Sequence, residues 1–179
     1  MHQISIMRTS SNHFPNKIII FLIIIALQLP IFSEEIKQFS VGDIFPTLDL
    51  KDQFDQTREI SPNTKKVIFI ADMDASKTIH SILEKEDKNY LESKQIILIS
   101  DIHKMPSIIT SLFALPKMKK YSYTIHLIRE EKIGDPFPRT KGSATLIKLD
   151  SRKIIEIKQS AIASEIQEFI TNSSSSDRK

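Results

Sequence analysis

The sequence predicts an α/β domain, a central mixed β-sheet flanked by helices and opened by an N-terminal β-hairpin. Three observations lead there. Residues 66–71 and 95–100 are short, continuous runs rich in β-branched and aromatic residues, without the apolar–polar alternation of a half-exposed strand, as expected of strands buried on both faces. Residues 76–93 between them have the spacing of an amphipathic helix, and strand, helix, strand implies a parallel pair joined by a crossover. Near the end, residues 144–149 and 153–158 flank Asp150-Ser151-Arg152 as a tight hairpin, which adds antiparallel strands.

Ahead of the domain, residues 1–33 read as a secretory signal peptide. Arg8 and Lys17 precede an uninterrupted apolar block at 18–27, Ser33 supplies a small residue at the end, and no acidic residue occurs before Glu34. The block is shorter than the roughly 20 apolar residues of a spanning helix. The expectation is therefore cleavage after Ser33 and an exported protein, periplasmic or extracellular, with no stable membrane insertion. A membrane anchor formed by an uncleaved N-terminal helix is the alternative. Residues 34–170 then make one domain, and 171–179, serine-rich and charged, a disordered tail.

Within the domain, Leu48 and Leu50 alternate with polar residues and Arg58-Glu59-Ile60 follow a polar bend, giving the first hairpin. The helix over 76–93 uses Ile79, Ile82, Leu83, Tyr90 and Leu91. Residues 105–120 form one or two short helices, with Pro106 suited to a first turn and Pro116 breaking the run. A third strand at 123–128 places His126, which alternates with Ile125 and Leu127, on the less buried face. A proline-stiffened loop, 130–141, presents an exposed Phe137, and a closing helix over 161–170 packs through Ile162, Ile166 and Ile170.

Composition excludes several kinds of chemistry. The chain has no cysteine, so thiol–disulfide exchange and cysteine-dependent peroxide reduction, both of which need a thiolate, are impossible. With three glycines and no Gly-x-Ser-x-Gly it has neither a phosphate-cradling loop nor a nucleophile elbow. A formal charge of +3 is too small to argue for a nucleic-acid partner. No cofactor is implied.

The element order resembles the thioredoxin-like superfamily. The opening Val41-Gly42-Asp43-Ile44-Phe45-Pro46 and the segment from Gly142 to Asp150 are similar to those of exported peroxiredoxin and TlpA/ResA-type domains. The resemblance implies that the redox cysteine pair would fall at Asp74 and Lys77, giving the degenerate motif Asp74-Ala75-Ser76-Lys77, and that the cis-proline would fall at Ser143 or Ala144. In character the chain is closer to the YtfJ-like group of small exported proteins, through residues 71–77, Asp101-Ile102-His103-Lys104-Met105-Pro106, and Lys119-Lys120-Tyr121.

What remains as a site is a surface or an acidic cluster. Phe137 on its loop and the basic group Lys117, Lys119 and Lys120 are candidates for a partner surface; the lysines, with Phe113, Leu115 and Met118, could face a partner or an anionic membrane, or simply close a helix end, and a protein of the bacterial cell envelope is the expected partner. Asp74, ahead of the first helix, reads as its N-cap, with Ser76 as a substitute. The alternative function is a non-thiol, metal-dependent enzyme in which Asp72, Asp74 and Asp101 converge at the carboxyl ends of the central strands. His80, His103 and His126 lack ligand spacing, so no metal is expected from them.

Overall fold

The computed structural model describes residues 36–172. The expected signal peptide and residues 173–179 of the expected tail lie outside the described residues. The elements are β1 (Asp49–Asp52), β2 (Thr57–Glu59), β3 (Lys66–Ile70), α1 (Met73–Leu83), α2 (Tyr90–Ser93) and β4 (Ile96–Asp101). A helical segment follows, made of α3 (Ser107–Ile109), a π-helical turn (Thr110–Ala114) and α4 (Leu115–Met118). Then come β5 (His126–Ile128), α5 (Glu131–Gly134), β6 (Ala144–Asp150), β7 (Lys153–Ser160) and α6 (Ala163–Thr171).

The seven strands form one sheet in the order β2-β1-β5-β4-β3-β6-β7. β3, β4 and β5 are parallel, while β6, β7, β1 and β2 add antiparallel strands on either side. All five residues of β3 are buried, because alternate side chains enter two separate cores. Ile68 and Ile70 pack under α1 and α6, with Ile79, Leu83, Ile166 and Phe169. Val67 and Phe69 face the other way, into a core closed by Phe45 and Phe137. At the β6–β7 turn Ser151 and Arg152 both have positive φ, as a tight hairpin requires.

The structure corrects several expectations. The helix over 76–93 is two helices, α1 and α2. Residues 85–89 are consecutively polar, and Leu83 and Tyr90 stay in helical phase across the break, so periodicity could not reveal it. Pro116 does not break the segment 107–118. The π turn ahead of it, where the Leu115 N–H bonds the Thr110 carbonyl, widens the helix where the proline ring would otherwise clash. The third strand is only His126–Ile128, because the Gln53 side chain takes the place of a neighbouring strand. Its amide donates to the Tyr123 carbonyl at 2.8 Å and accepts from the Ile125 N–H at 2.9 Å. His126 is buried, since β5 lies inside the sheet between β1 and β4. In α6, Phe169 fills the place expected of Ile162, which is exposed at the N-cap.

Phe137 is the largest correction: it is fully buried. Its ring stacks on Phe69 at 4.4 Å and meets Phe39 edge-on at 5.0 Å. β3 and β4 are apolar on both faces, so the face without α1 and α6 needs a cover, and the loop supplies one. The loop is fastened by the Phe39 N–H to the Pro136 carbonyl and by the Thr145 hydroxyl to the Pro138 carbonyl. Phe137 is therefore a core residue and not a partner surface.

Candidate functional site

The carboxyl ends of β3 and β4 converge with the start of α1, and α1 is begun by Asp72 rather than Asp74. Asp72 has extended backbone geometry, and its Oδ1 accepts from the Asp74 and Ala75 N–H groups, both at 3.0 Å. Those are the second and third helical residues, the usual donors to an N-cap. Its second oxygen accepts from the Gly142 N–H at 2.7 Å. Gly142 has φ +76°, a conformation suited to glycine. One carboxylate thus ties the degenerate motif Asp74-Ala75-Ser76-Lys77 to the loop carrying Ser143 and Ala144. No peptide bond among the described residues is cis.

The remaining motif side chains are structural or solvated. Asp74 is exposed and pairs with Lys77 at 3.1 Å, one turn along. Ala75 is buried in the core, and Ser76 lines a groove.

Asp101 ends β4 with its side chain almost wholly buried. Its Oδ1 accepts from the His103 backbone N–H at 3.1 Å and lies 2.6 Å from His103 Nδ1. Its Oδ2 pairs with Arg139 Nη1 at 3.1 Å. A Cβ on Gly134 would sit 2.3 Å from that same oxygen, so glycine permits the close approach of α5. The three carboxylates proposed as a cluster therefore do not act together: Asp72 serves backbone amides, Asp74 pairs with Lys77, and Asp101 pins the Phe137 loop through Arg139. Among the described residues, no group of three or more His, Asp or Glu is placed to hold a metal ion. The histidines are also separate. His80 Nδ1 meets the Tyr123 hydroxyl at 3.1 Å, His103 meets Asp101, and His126 Nδ1 meets the Leu98 carbonyl at 3.2 Å. Burial pushes the pKa of His126 down and that of the Tyr123 hydroxyl up.

Between the start of α1 and the helical segment 107–118 lies a groove of about 140 Å³. Its floor is the end of β3 and β4, and its walls are chiefly apolar, with Met73, Met105, Met118 and Tyr121. Lys117 contributes a cation at one side. Of the candidate surface residues, Lys117, Lys119 and Lys120 are exposed. Sequence reasoning missed the groove, and of the apolar residues expected beside the lysines Phe113 is exposed while Leu115 and Met118 pack against the core; Ile108, Ile109 and Leu112 reach solvent with Phe113. The signal was available, because that segment is too rich in apolar residues for one buried face to use them all.

No protein-family model matches the chain, and no curated protein sequence does. Solved structures do match. A candidate thioredoxin from Neisseria meningitidis superposes with a TM-score of 0.53 at 14% identity, over 78% of this chain and 95% of its own. A candidate thiol:disulfide interchange protein DsbE from Chlorobium tepidum gives 0.51 at 14%, over 74% and 96%. Peroxidoxin BcpB from Mycobacterium tuberculosis gives 0.50 at 11%, over 74% and 95%. The fold is thioredoxin-like. On that fold, a chain without cysteine has no thiolate and so no thiol chemistry. Among the described residues, no helix is long and apolar enough to cross a membrane.

Proposed function

We propose that this chain is an exported binding module of the bacterial cell envelope, built on a thioredoxin-like fold and free of redox function. The observation that carries the reading is how the start of α1 is held, two residues ahead of the degenerate motif. Asp72 spends its carboxylate on three backbone N–H groups, which leaves beside it a chiefly apolar groove, and among the described residues no group of three or more His, Asp or Glu is placed to hold a metal ion. Such a groove takes an apolar side chain, and Lys117 suits an acidic neighbour on the same segment. The occupant is an extended segment of another envelope protein. Export is supported by the order of charge, apolar block and small residue in the first 33 residues.

The test is affinity capture from envelope extract with the full chain and with Ser76→Phe, which fills the groove from the exposed side of α1. A partner retained by the native chain and lost with the variant is the expected result. Equal capture by both refutes the groove. Mass spectrometry of the native N-terminus tests export, with a start after Ser33 expected and an intact leader favouring the anchored form.

A further inference from the structure

The exposed face of 107–118 is a second surface, which adjoins the groove at Lys117 and is built of apolar side chains. Ile108, Leu112 and Phe113 are each more than 60% exposed, and Ile109 is 43% exposed. The inward side of the same segment is already used, since Met105, Leu115 and Met118 pack against the core. The outward apolar side therefore has no role in folding the domain. Lysines stand at both ends: Lys104 before it, Lys117 in its last turn, and Lys119 and Lys120 after it. From Ile102 to Arg129 there is no Asp or Glu, in a chain that has 22 of them.

What sets these lysines apart is the lack of any Asp or Glu between Ile102 and Arg129, since lysines elsewhere are both paired and unpaired. Lys37, Lys51, Lys77, Lys148 and Lys158 each meet a carboxylate. Lys104, Lys117, Lys119 and Lys120 form no ion pair among the described residues, so their field is uncompensated locally. Apolar side chains exposed along one helical segment, bracketed by lysines whose stems can lie along apolar surface, have the composition of an interfacial helix. Ile108, Ile109, Leu112 and Phe113 do not line the groove, and a bilayer surface needs no concave pocket.

We propose that this face docks the domain on an anionic lipid surface, with Ile108, Leu112 and Phe113 entering the headgroup boundary and the four lysines meeting lipid phosphates. The inference goes beyond the groove reading and does not depend on it. A protein with an acidic, apolar surface is the competing occupant, and the test separates the two.

The absence of native cysteine makes the test simple, because a single introduced cysteine can be labelled without removing another thiol. The full chain is prepared as Leu112→Cys and, separately, as Ser151→Cys, each carrying an environment-sensitive fluorophore. Ser151 lies in the β6–β7 turn, at the opposite end of the sheet from the carboxyl ends of β3 and β4. Vesicles of equal parts phosphatidylglycerol and phosphatidylcholine should shift the probe at 112 to the blue and leave the probe at 151 unchanged. Vesicles of phosphatidylcholine alone should move neither. Neutralising Lys117, Lys119 and Lys120 to Gln should weaken the response on the order of a hundredfold, about fivefold for each lysine near a charged bilayer. The proposal is overturned by a probe at 112 that stays in water, by an equal response to neutral vesicles, or by a triple variant that binds undiminished. A response to envelope proteins with none to lipid also overturns it and assigns the face to a protein partner. Loss of the vesicle response with retained groove-dependent capture would refute the lipid docking alone.

Discussion

Replacing Asp72 by Ala tests whether this carboxylate is structural, capping α1 and tethering the loop at Gly142. The substitution removes two bonds at the start of α1, both 3.0 Å, and one to Gly142, 2.7 Å. Loss of an Asp N-cap costs about 1 kcal/mol. The bond to Gly142 is charge-assisted and joins segments distant in sequence, and about 1.5 kcal/mol is a fair figure because Asp72 is only half-buried and water can partly replace it. The sum is about 2.5 kcal/mol, which for a domain of this size lowers the melting temperature by roughly 8 °C. Asp72→Asn should retain the cap through its oxygen but lose the acceptor for Gly142, falling near the midpoint. Asp74→Ala, at an exposed position, should cost within about 0.5 kcal/mol. Thermal and urea unfolding of the three variants provides the comparison. If Asp72→Ala is neutral, or if Asp74→Ala is the more damaging, the assignment of the cap and tether is wrong.

Three further outcomes follow from the cores and the buried groups. Phe137→Ala should destabilise by about 3–5 kcal/mol, measured by urea unfolding, because a fully buried ring stacked on Phe69 is removed; a neutral result would return Phe137 to the surface. Gly134→Ala should cost about 1–3 kcal/mol by displacing Asp101 from Arg139, and thermal unfolding at native stability would contradict that close contact. His126 has a pKa held below its ordinary value of 6.5 by burial, so below that pH the unfolded chain binds a proton that the native chain refuses. Its contribution to stability is then complete above 6.5 and is lost as pH falls through the folded value. His126→Asn, which keeps a donor for the Leu98 carbonyl, should flatten that part of the stability profile, and urea midpoints at successive pH values show whether it does.

The fold was legible where pattern and burial coincide. β3 and β4 announced themselves as continuous apolar runs, and the β6–β7 hairpin by its turn. The breaks were less legible, because the polar run 85–89 interrupts a helix without disturbing its phase, and the π turn ahead of Pro116 has no sequence signature of its own. Phe137 was misread because a proline-flanked aromatic in a loop gives no clue to which way it points. That clue lay elsewhere, in strands apolar on two faces that required a second cover. At the site, the loss of thiol chemistry could be read directly from composition. That Asp72 rather than Asp74 caps α1 could not, since Asp-Met-Asp offers two carboxylates at equally plausible starts and only the position of Gly142 distinguishes them.

The most direct test of a non-redox binding module is photo-crosslinking in the cell from Met73, which is 58% exposed and lines the groove. A photoreactive residue there, in the full chain, should give one dominant protein adduct that disappears when Ser76→Phe is added and is not formed from position 151. A pattern identical from both positions, or unchanged by the filled groove, would contradict the account.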